Sequence, residues 1–91
     1  MRPEQALDPY VRALELRPDY VRALTNLGIS YGNLGQTMEG AACYLRALEL
    51  NPRGAHIWSY LIMLLHKGGH PQLAERAAAR DVEAFRGAVD F

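Results

Sequence analysis

The 91-residue sequence is short of several features that would indicate a function directly. It has no net charge, because ten basic side chains balance ten acidic ones. It therefore lacks the basic surface that nucleic-acid and anionic-membrane binding usually require. Its single cysteine, Cys43, cannot form an internal disulfide, which favours a reducing compartment. The longest apolar run, residues 60–65, is about a third of the roughly 20 residues that cross a bilayer, so we expect neither a nucleic-acid partner nor a direct membrane span.

Side chains with catalytic or metal-binding chemistry form no convincing group either. His66 and His70 are four residues apart, but the intervening glycines break the helix that would align them. Ser30 and Ser59 lack a neighbouring histidine and the strand–turn–helix context that activates a nucleophile. We therefore expect a protein that is not an enzyme, with no catalytic residue, no cofactor and no metal.

The sequence does contain an internal repeat. Residues 10–18 (YVRALELRP) and 44–52 (YLRALELNP) agree at seven of nine positions and lie 34 residues apart. Within one period, residues 20–33 and a second segment that follows carry apolar side chains at helical spacing. The signals expected at the helix ends are an N-cap at Asp19, a turn at Gly35, an N-cap at Thr37 and a stop at Pro52.

A unit of two helices in 34 residues resembles the tetratricopeptide repeat. The residues at consensus positions are Leu24, Leu27, Gly28 and Tyr31 in the first helix, and Tyr44, Ala47 and Pro52 in the second, while Gly40 replaces an alanine. The small residues allow two helices to approach closely, and the large ones fill the space between them. We therefore expect an all-α fold: a fragment of a helical-hairpin solenoid with C-terminal capping helices.

The repeat divides the chain into three parts. Residues 1–19 are a partial repeat (second helix only), residues 20–53 a complete repeat, and residues 54–91 a degenerate repeat with C-terminal helices, the last capped by Asp81. Trp58 and the apolar run 60–65 are expected to be core. Because the first segment has no helix before it, we expect the chain to be the C-terminal piece of a longer solenoid.

Function is expected on the first helices, which line the inner wall of such a solenoid. Exposed positions there include Arg22, Asn26 and Asn33, with the last of these two turns beyond the second. Arginine offers a planar pair of donors to a carboxylate, and asparagine can both donate to and accept from a main chain. The pattern favours capture of an extended peptide by its C-terminal carboxylate, although the same side chains also suit a merely solubilising helix face.

Residues 20–35 are similar to the last repeat of the peroxisomal targeting signal type 1 receptor (peroxin-5) family. The shared residues are Arg-x-x-x-Asn-Leu-Gly-Ile-Ser at 22–30 with a further asparagine at 33, Ala-x-x-Tyr-x-x-Ala-Leu at 41–48, Trp-Ser-Tyr-Leu at 58–61 and Ala-Arg-Asp at 79–81. The resemblance implies that Arg22, Asn26 and Asn33 hold a cargo's C-terminal tripeptide, of Ser-Lys-Leu type, for import into peroxisomes. It further implies a cytoplasmic receptor that cycles to the peroxisomal membrane and meets the import machinery through its other parts.

Two alternatives remain open. A chaperone-type carboxylate clamp also uses basic and amide side chains at these positions, but it prefers acidic tails and relies on several cations. The only lysine, Lys67, is expected to lie outside the groove, which favours the receptor over the clamp. The second alternative is a structural fragment without a ligand, which self-associates through the uncovered face of its N-terminal helix.

Overall fold

A computed structural model describes residues 8–79, which form five α-helices and no strand. The helices are α1 (Asp8–Leu16), α2 (Val21–Asn33), α3 (Thr37–Leu50), α4 (Ala55–Lys67) and α5 (Pro71–Ala78). Each packs against the next along the chain, and α2 also contacts α4. This confirms the all-α helical-hairpin fold. The helix expected to begin near Asp81 lies outside the described residues.

The turns between helices follow the glycine and proline signals of the sequence. Gly35, between α2 and α3, has a φ of +77°, a conformation that favours glycine because it has no Cβ. Gly69, after α4, has a φ of +81°, which favours glycine for the same reason. Helix α3 ends at Leu50, two residues before Pro52, as expected.

The expected N-caps at Asp19 and Thr37 are wrong. The cap position of α2 is Tyr20, whose extended backbone places its carbonyl to accept the N–H of Leu24 at 3.1 Å. Its ring packs under the guanidinium of Arg17, 5.1 Å from the ring centroid. Thr37 is already the first residue of α3, so its hydroxyl lies one position too late to cap the helix. Within residues 8–79, neither helix has a side-chain cap.

The centre of the core lies between α3 and α4. The largest fully buried side chains are Leu45, Ile57, Leu61 and Leu65, from α3 and α4. Burial of each such side chain stabilises the fold by about 1.5–3 kcal/mol. Helix α5 adds two buried alanines against α4. No helix of residues 8–79 combines the length and apolarity needed to cross a membrane.

The crossing of α2 and α3 depends on two glycines. A Cβ added to Gly28 would lie 2.6 Å from Cε1 of Tyr44, and one added to Gly40 would lie 3.0 Å from the carbonyl oxygen of Gly28. The first distance is shorter than Cβ atoms adopt and the second is at the tight limit, so the missing side chains of both glycines allow the close approach of the two helices. The close approach expected from the repeat pattern is confirmed.

The expectation that the whole apolar run of α4 is core is only partly right. Trp58, Leu61, Leu64 and Leu65 are buried, but Tyr60 and Met63 are 37% and 66% exposed. Helical geometry explains the difference, because these two residues are three apart and therefore share one face of α4. These two residues lie on a face of α4 that lines a surface together with residues of α2.

Candidate functional site

Helices α2 and α4 contact each other, both pack against α3, and together they form a concave surface. Near the N-termini of both lies a depression of about 480 Å³, here called the polar pocket. Along their C-terminal halves lies a larger one of about 720 Å³, here called the apolar groove. Ile29 of α2 and Tyr60 of α4 line both. The two depressions therefore form one continuous surface.

The three residues predicted to bind a peptide all lie on this surface. Arg22 and Asn26 line the polar pocket together, the first exposed and the second half-buried. Asn33 is exposed and lines the apolar groove instead. Along α2, Arg22 and Asn33 are separated by about 16 Å, since each residue rises about 1.5 Å. The site is thus long enough for several residues of an extended peptide.

The sequence-based site left out the contribution of α4. His56 and Tyr60 face Arg22 and Asn26 across the polar pocket, and Met63 and Lys67 extend the apolar groove. The expectation that Lys67 lies outside the groove is therefore wrong. The ring of Tyr60 meets that of His56 edge-on, with centroids 5.9 Å apart at 89°.

The 34-residue period is the signal that could have found these residues. Each exposed position on the inner face of α2 has a counterpart on α4 that lines the same surface. The pairs are Arg22 with His56, Asn26 with Tyr60, Ile29 with Met63, and Asn33 with Lys67. The hydroxyls repeat as well: Thr25 donates to the carbonyl of Val21 at 2.9 Å, and Ser59 to that of Ala55 at 3.3 Å. Both hydroxyl protons are thereby held within their own helices.

The electrostatic character of the surface is cationic at its rims and apolar in its centre. Within residues 8–79, no carboxylate lines either depression, whereas Arg22 stands at one end and Lys67 at the other. Tyr44 forms part of the groove floor, and burial raises its pKa to about 12, so its phenol stays neutral. An anionic group on a ligand therefore meets no repulsion here.

The titratable groups outside this surface offer little further chemistry. Burial, followed by the charge of Glu39, raises the pKa of Cys43 to about 11, so the thiol is protonated near neutral pH. Such a thiol is a weak nucleophile. In the part of the chain from residue 8 to residue 79, no three His, Cys, Asp or Glu residues come together as a metal site would require.

Comparison with known proteins gives matches of two kinds. A family described as "Tetratricopeptide repeat" matches residues 21–53, and one described as "TPR repeat" matches residues 2–35. The peroxisomal targeting signal receptors of Candida albicans and Saccharomyces cerevisiae are 44% and 42% identical to this chain over 50 residues, or 55% of it. Each match covers 8% of the receptor's own length. The resemblance inferred from the sequence is confirmed.

Proposed function

We propose that this chain, in which tetratricopeptide-repeat families match residues 2–35 and 21–53, is the peptide-binding part of a receptor for proteins destined for the peroxisome. In this proposal the concave surface of α2 and α4 binds the C-terminal tripeptide, of Ser-Lys-Leu type, of a peroxisomal matrix protein. The role is binding rather than catalysis, since repeat helices place side chains that hold a peptide main chain.

The observation that carries the proposal is the joint position of Arg22 and Asn26 in a pocket that no carboxylate of residues 8–79 lines. The guanidinium can donate a pair of hydrogen bonds to a terminal carboxylate. The amide of Asn26 can donate to a backbone carbonyl and accept from a backbone N–H, which holds a peptide without reading its side chains. His56 adds a ring nitrogen to the opposite wall of the pocket.

The spacing of the two asparagines supports an extended ligand. Asn26 and Asn33 are seven residues apart on α2, which corresponds to about 10 Å along the helix. Three residues of extended chain also span about 10 Å. A tripeptide that runs from Asn26 to Asn33, with its carboxylate at the end nearer Arg22, can therefore meet both amides along its main chain.

The similarity to peroxisomal targeting signal receptors supports the cellular setting of the proposal. The receptor would collect cargo in the cytoplasm, cycle to the peroxisomal membrane and contact the import machinery there. Those contacts belong to the wider receptor rather than to residues 8–79. This chain contributes the surface that recognises the cargo's end.

A titration with a fluorescent peptide ending in Ser-Lys-Leu, compared with its C-terminal amide, tests the proposal. We expect the free acid to bind at least about tenfold more tightly, because one charge-assisted hydrogen bond is worth about 1.5–3 kcal/mol. Arg22→Ala should remove most of that difference. Arg46→Ala is the matched control, because Arg46 is exposed on α3 and lines neither depression. Equal binding of acid and amide, or an Arg22 variant that behaves like the control, would contradict the proposal.

One observation favours the carboxylate clamp as a second candidate. Lys67 lines the apolar groove, so the surface carries a cation at each end. A clamp for acidic tails would use both. Competition between a Ser-Lys-Leu peptide and a peptide with several C-terminal acidic residues separates the two functions, since a receptor of the first kind keeps its preference for Ser-Lys-Leu at equal concentrations.

A further inference from the structure

The polar pocket has a titratable side chain on the wall opposite Arg22. His56 is the second residue of α4, and it lines the same depression as Arg22 and Asn26 of α2. Its side chain is exposed, so it exchanges protons with solvent. Histidine is the residue type that ordinarily changes its charge between pH 5 and 8. The positive charge around the pocket can therefore change with pH.

We propose that His56 is a second carboxylate-binding residue of the polar pocket: its imidazolium form donates a hydrogen bond to the peptide's terminal carboxylate from the wall opposite Arg22. Binding of a free C-terminus then takes up a proton from solvent and becomes tighter as the pH falls. This inference rests on the proposed function, because it places the ligand's carboxylate in the polar pocket. It adds a ligand-binding residue on α4 and a pH dependence that the amides of α2 do not supply.

The charges that face His56 favour this coupling. Arg22 lies across the pocket on α2, and the N-terminus of α4 adds a partial positive charge beside the ring. No carboxylate of residues 8–79 lines the pocket. The ligand therefore supplies the negative charge that an imidazolium needs, and the bound carboxylate and the added proton stabilise each other.

The other elements packed against α4 bring no competing charge into the pocket. Of the described residues, none from α3 or α5 lines it. The ring of Tyr44 on α3 lies 6.1 Å from that of Tyr60, and burial raises the pKa of Tyr44 to about 12, so this phenol stays neutral. Tyr60 is the remaining titratable residue of the lining, on the same wall as His56.

The geometry of the pocket suits one carboxylate held from two sides. A carboxylate has two oxygens, each of which accepts hydrogen bonds in more than one direction. The guanidinium of Arg22 approaches from α2, which leaves the side towards α4 for a ring nitrogen. Tyr60, one turn later on α4, meets the ring of His56 at 89° with centroids 5.9 Å apart. This contact restricts the imidazole and lowers the entropic cost of ordering it on the ligand.

The linkage between proton and ligand gives the sign and size of the effect. Because the carboxylate favours the imidazolium, protonation must favour the carboxylate by the same factor. Affinity therefore rises as the pH falls, between one limit for neutral and another for protonated His56. The peptide's α-carboxyl group titrates near pH 3.5 and stays ionised above about pH 5. An exposed ion pair predicts a gain of about threefold to fivefold.

Fluorescence anisotropy between pH 8 and 5.5, at constant ionic strength, tests the inference on the 91-residue chain. The probe is Gly-Ala-Ala-Ala-Ala-Ser-Lys-Leu with a pH-insensitive rhodamine on its N-terminal amine, so that the peptide itself has no group that titrates in this range. We expect the free acid to bind about threefold to fivefold more tightly at pH 5.5 than at pH 8. The C-terminal amide of the same peptide should show no such gain.

Two variants of His56 assign the pH dependence to this residue. His56→Gln should bind the free acid at every pH with about the affinity of the native chain at pH 8. His56→Arg should bind it at every pH with about the affinity of the native chain at pH 5.5, because a guanidinium stays charged throughout. His66→Gln is the matched control, since His66 is exposed on the same helix and lines only the apolar groove. Far-UV circular dichroism at both pH values confirms that each variant folds.

The outcomes separate this inference from the proposed function. If the native chain binds acid and amide equally at pH 8, the carboxylate site fails and the inference fails with it. If that discrimination holds but the affinity for the acid does not change with pH, only the inference fails. A gain that survives His56→Gln likewise overturns the inference alone. Loss of binding at every pH in both His56 variants would assign the residue a structural role and overturn it as well.

Discussion

The Cα of Gly28 lies directly against the ring of Tyr44, where an added Cβ would be 2.6 Å from Cε1 and 2.8 Å from Cδ1. The ring cannot move aside easily, because Tyr44 is only 3% exposed in the core. The same ring forms part of the groove floor. One contact between two residues thus sets both the crossing of α2 and α3 and the shape of the surface above it.

Gly28→Ala is expected to lower the free energy of unfolding by about 1–3 kcal/mol, because the new methyl group overpacks a rigid contact. Thermal unfolding measures the change. Gly32→Ala is the matched control in the same helix: its Cβ would lie 3.0 Å from the terminal Cδ1 of Leu64, a methyl that can turn away. The control should lose little free energy of unfolding, because alanine favours the helix over glycine by about 1 kcal/mol. Equal unfolding temperatures for the two variants would contradict this account.

Gly35→Ala tests backbone conformation without crowding. No atom lies within 4 Å of an added Cβ, but the φ of +77° is unfavourable for alanine. We expect a loss of about 1–2 kcal/mol. Gly35→Asn should lose less, because asparagine tolerates this conformation better. A ranking in which asparagine is the worse of the two would exclude strain as the cause.

The raised pKa values of Cys43 and Tyr44 predict a loss of stability at alkaline pH. Burial raises them from 9.0 to about 11 and from 10.0 to about 12, respectively. The folded state therefore holds protons that the unfolded state releases from about pH 9 upward. The stabilisation is complete below pH 9 and is lost as the pH rises through 11 and 12. Chemical denaturation from pH 8 to 11 should show a falling free energy of unfolding, with a shallower decline in Cys43→Ala.

The thiol itself gives an independent measurement of the same burial. A disulfide reagent at pH 8 should modify Cys43 much more slowly in the folded chain than in denaturant, because the thiolate is the reactive form. The chain has no other cysteine, so the signal belongs to this residue. Equal rates in both states would show that the thiol is open to solvent.

Asn26→Asp should weaken binding of a peptide with a free C-terminus more than Asn26→Ala does. The aspartate places a negative charge beside Arg22 in the polar pocket, where it competes with the peptide for the guanidinium and repels the ligand carboxylate. We expect a loss of about tenfold or more for the aspartate variant. Gln72→Glu is the control, since it makes a comparable change on the exposed surface of α5. For a peptide with an amidated C-terminus, the affinities of the Asn26→Asp and Asn26→Ala variants should differ far less.

The fold could be predicted from the sequence because its determinants are local. A nine-residue motif repeated at 34 residues, glycines in turns and a proline after α3 specify helices of the observed lengths. The N-cap of α2 was predicted wrongly, since Asp19 is a good cap residue that lies one position too early. The observed cap residue, Tyr20, packs against Arg17, a contact that residue type alone does not indicate.

The sequence predicted the part of the site on α2 and missed the part on α4. Arg22 and Asn26 are polar residues four apart on α2, and their residue types suggest a binding site. On α4 the inner face carries Tyr60 and Met63 within an apolar run, and their type suggests core. Only the repeat period assigns them to the surface, because it pairs them with Asn26 and Ile29. For Tyr60 and Met63, position in the repeat therefore predicts the location correctly, whereas residue type does not.

The ring of Tyr44 has a thermodynamic consequence for any ligand of the groove. Folding already immobilises it between Gly28 and the tilted ring of Tyr60, whose centroid lies 6.1 Å away. A ligand that settles on this floor does not have to order it and avoids that entropic cost of association. Preorganisation of the floor allows even a short peptide to gain from a modest buried area. The glycine that permits the helix crossing thereby contributes to affinity without touching the ligand.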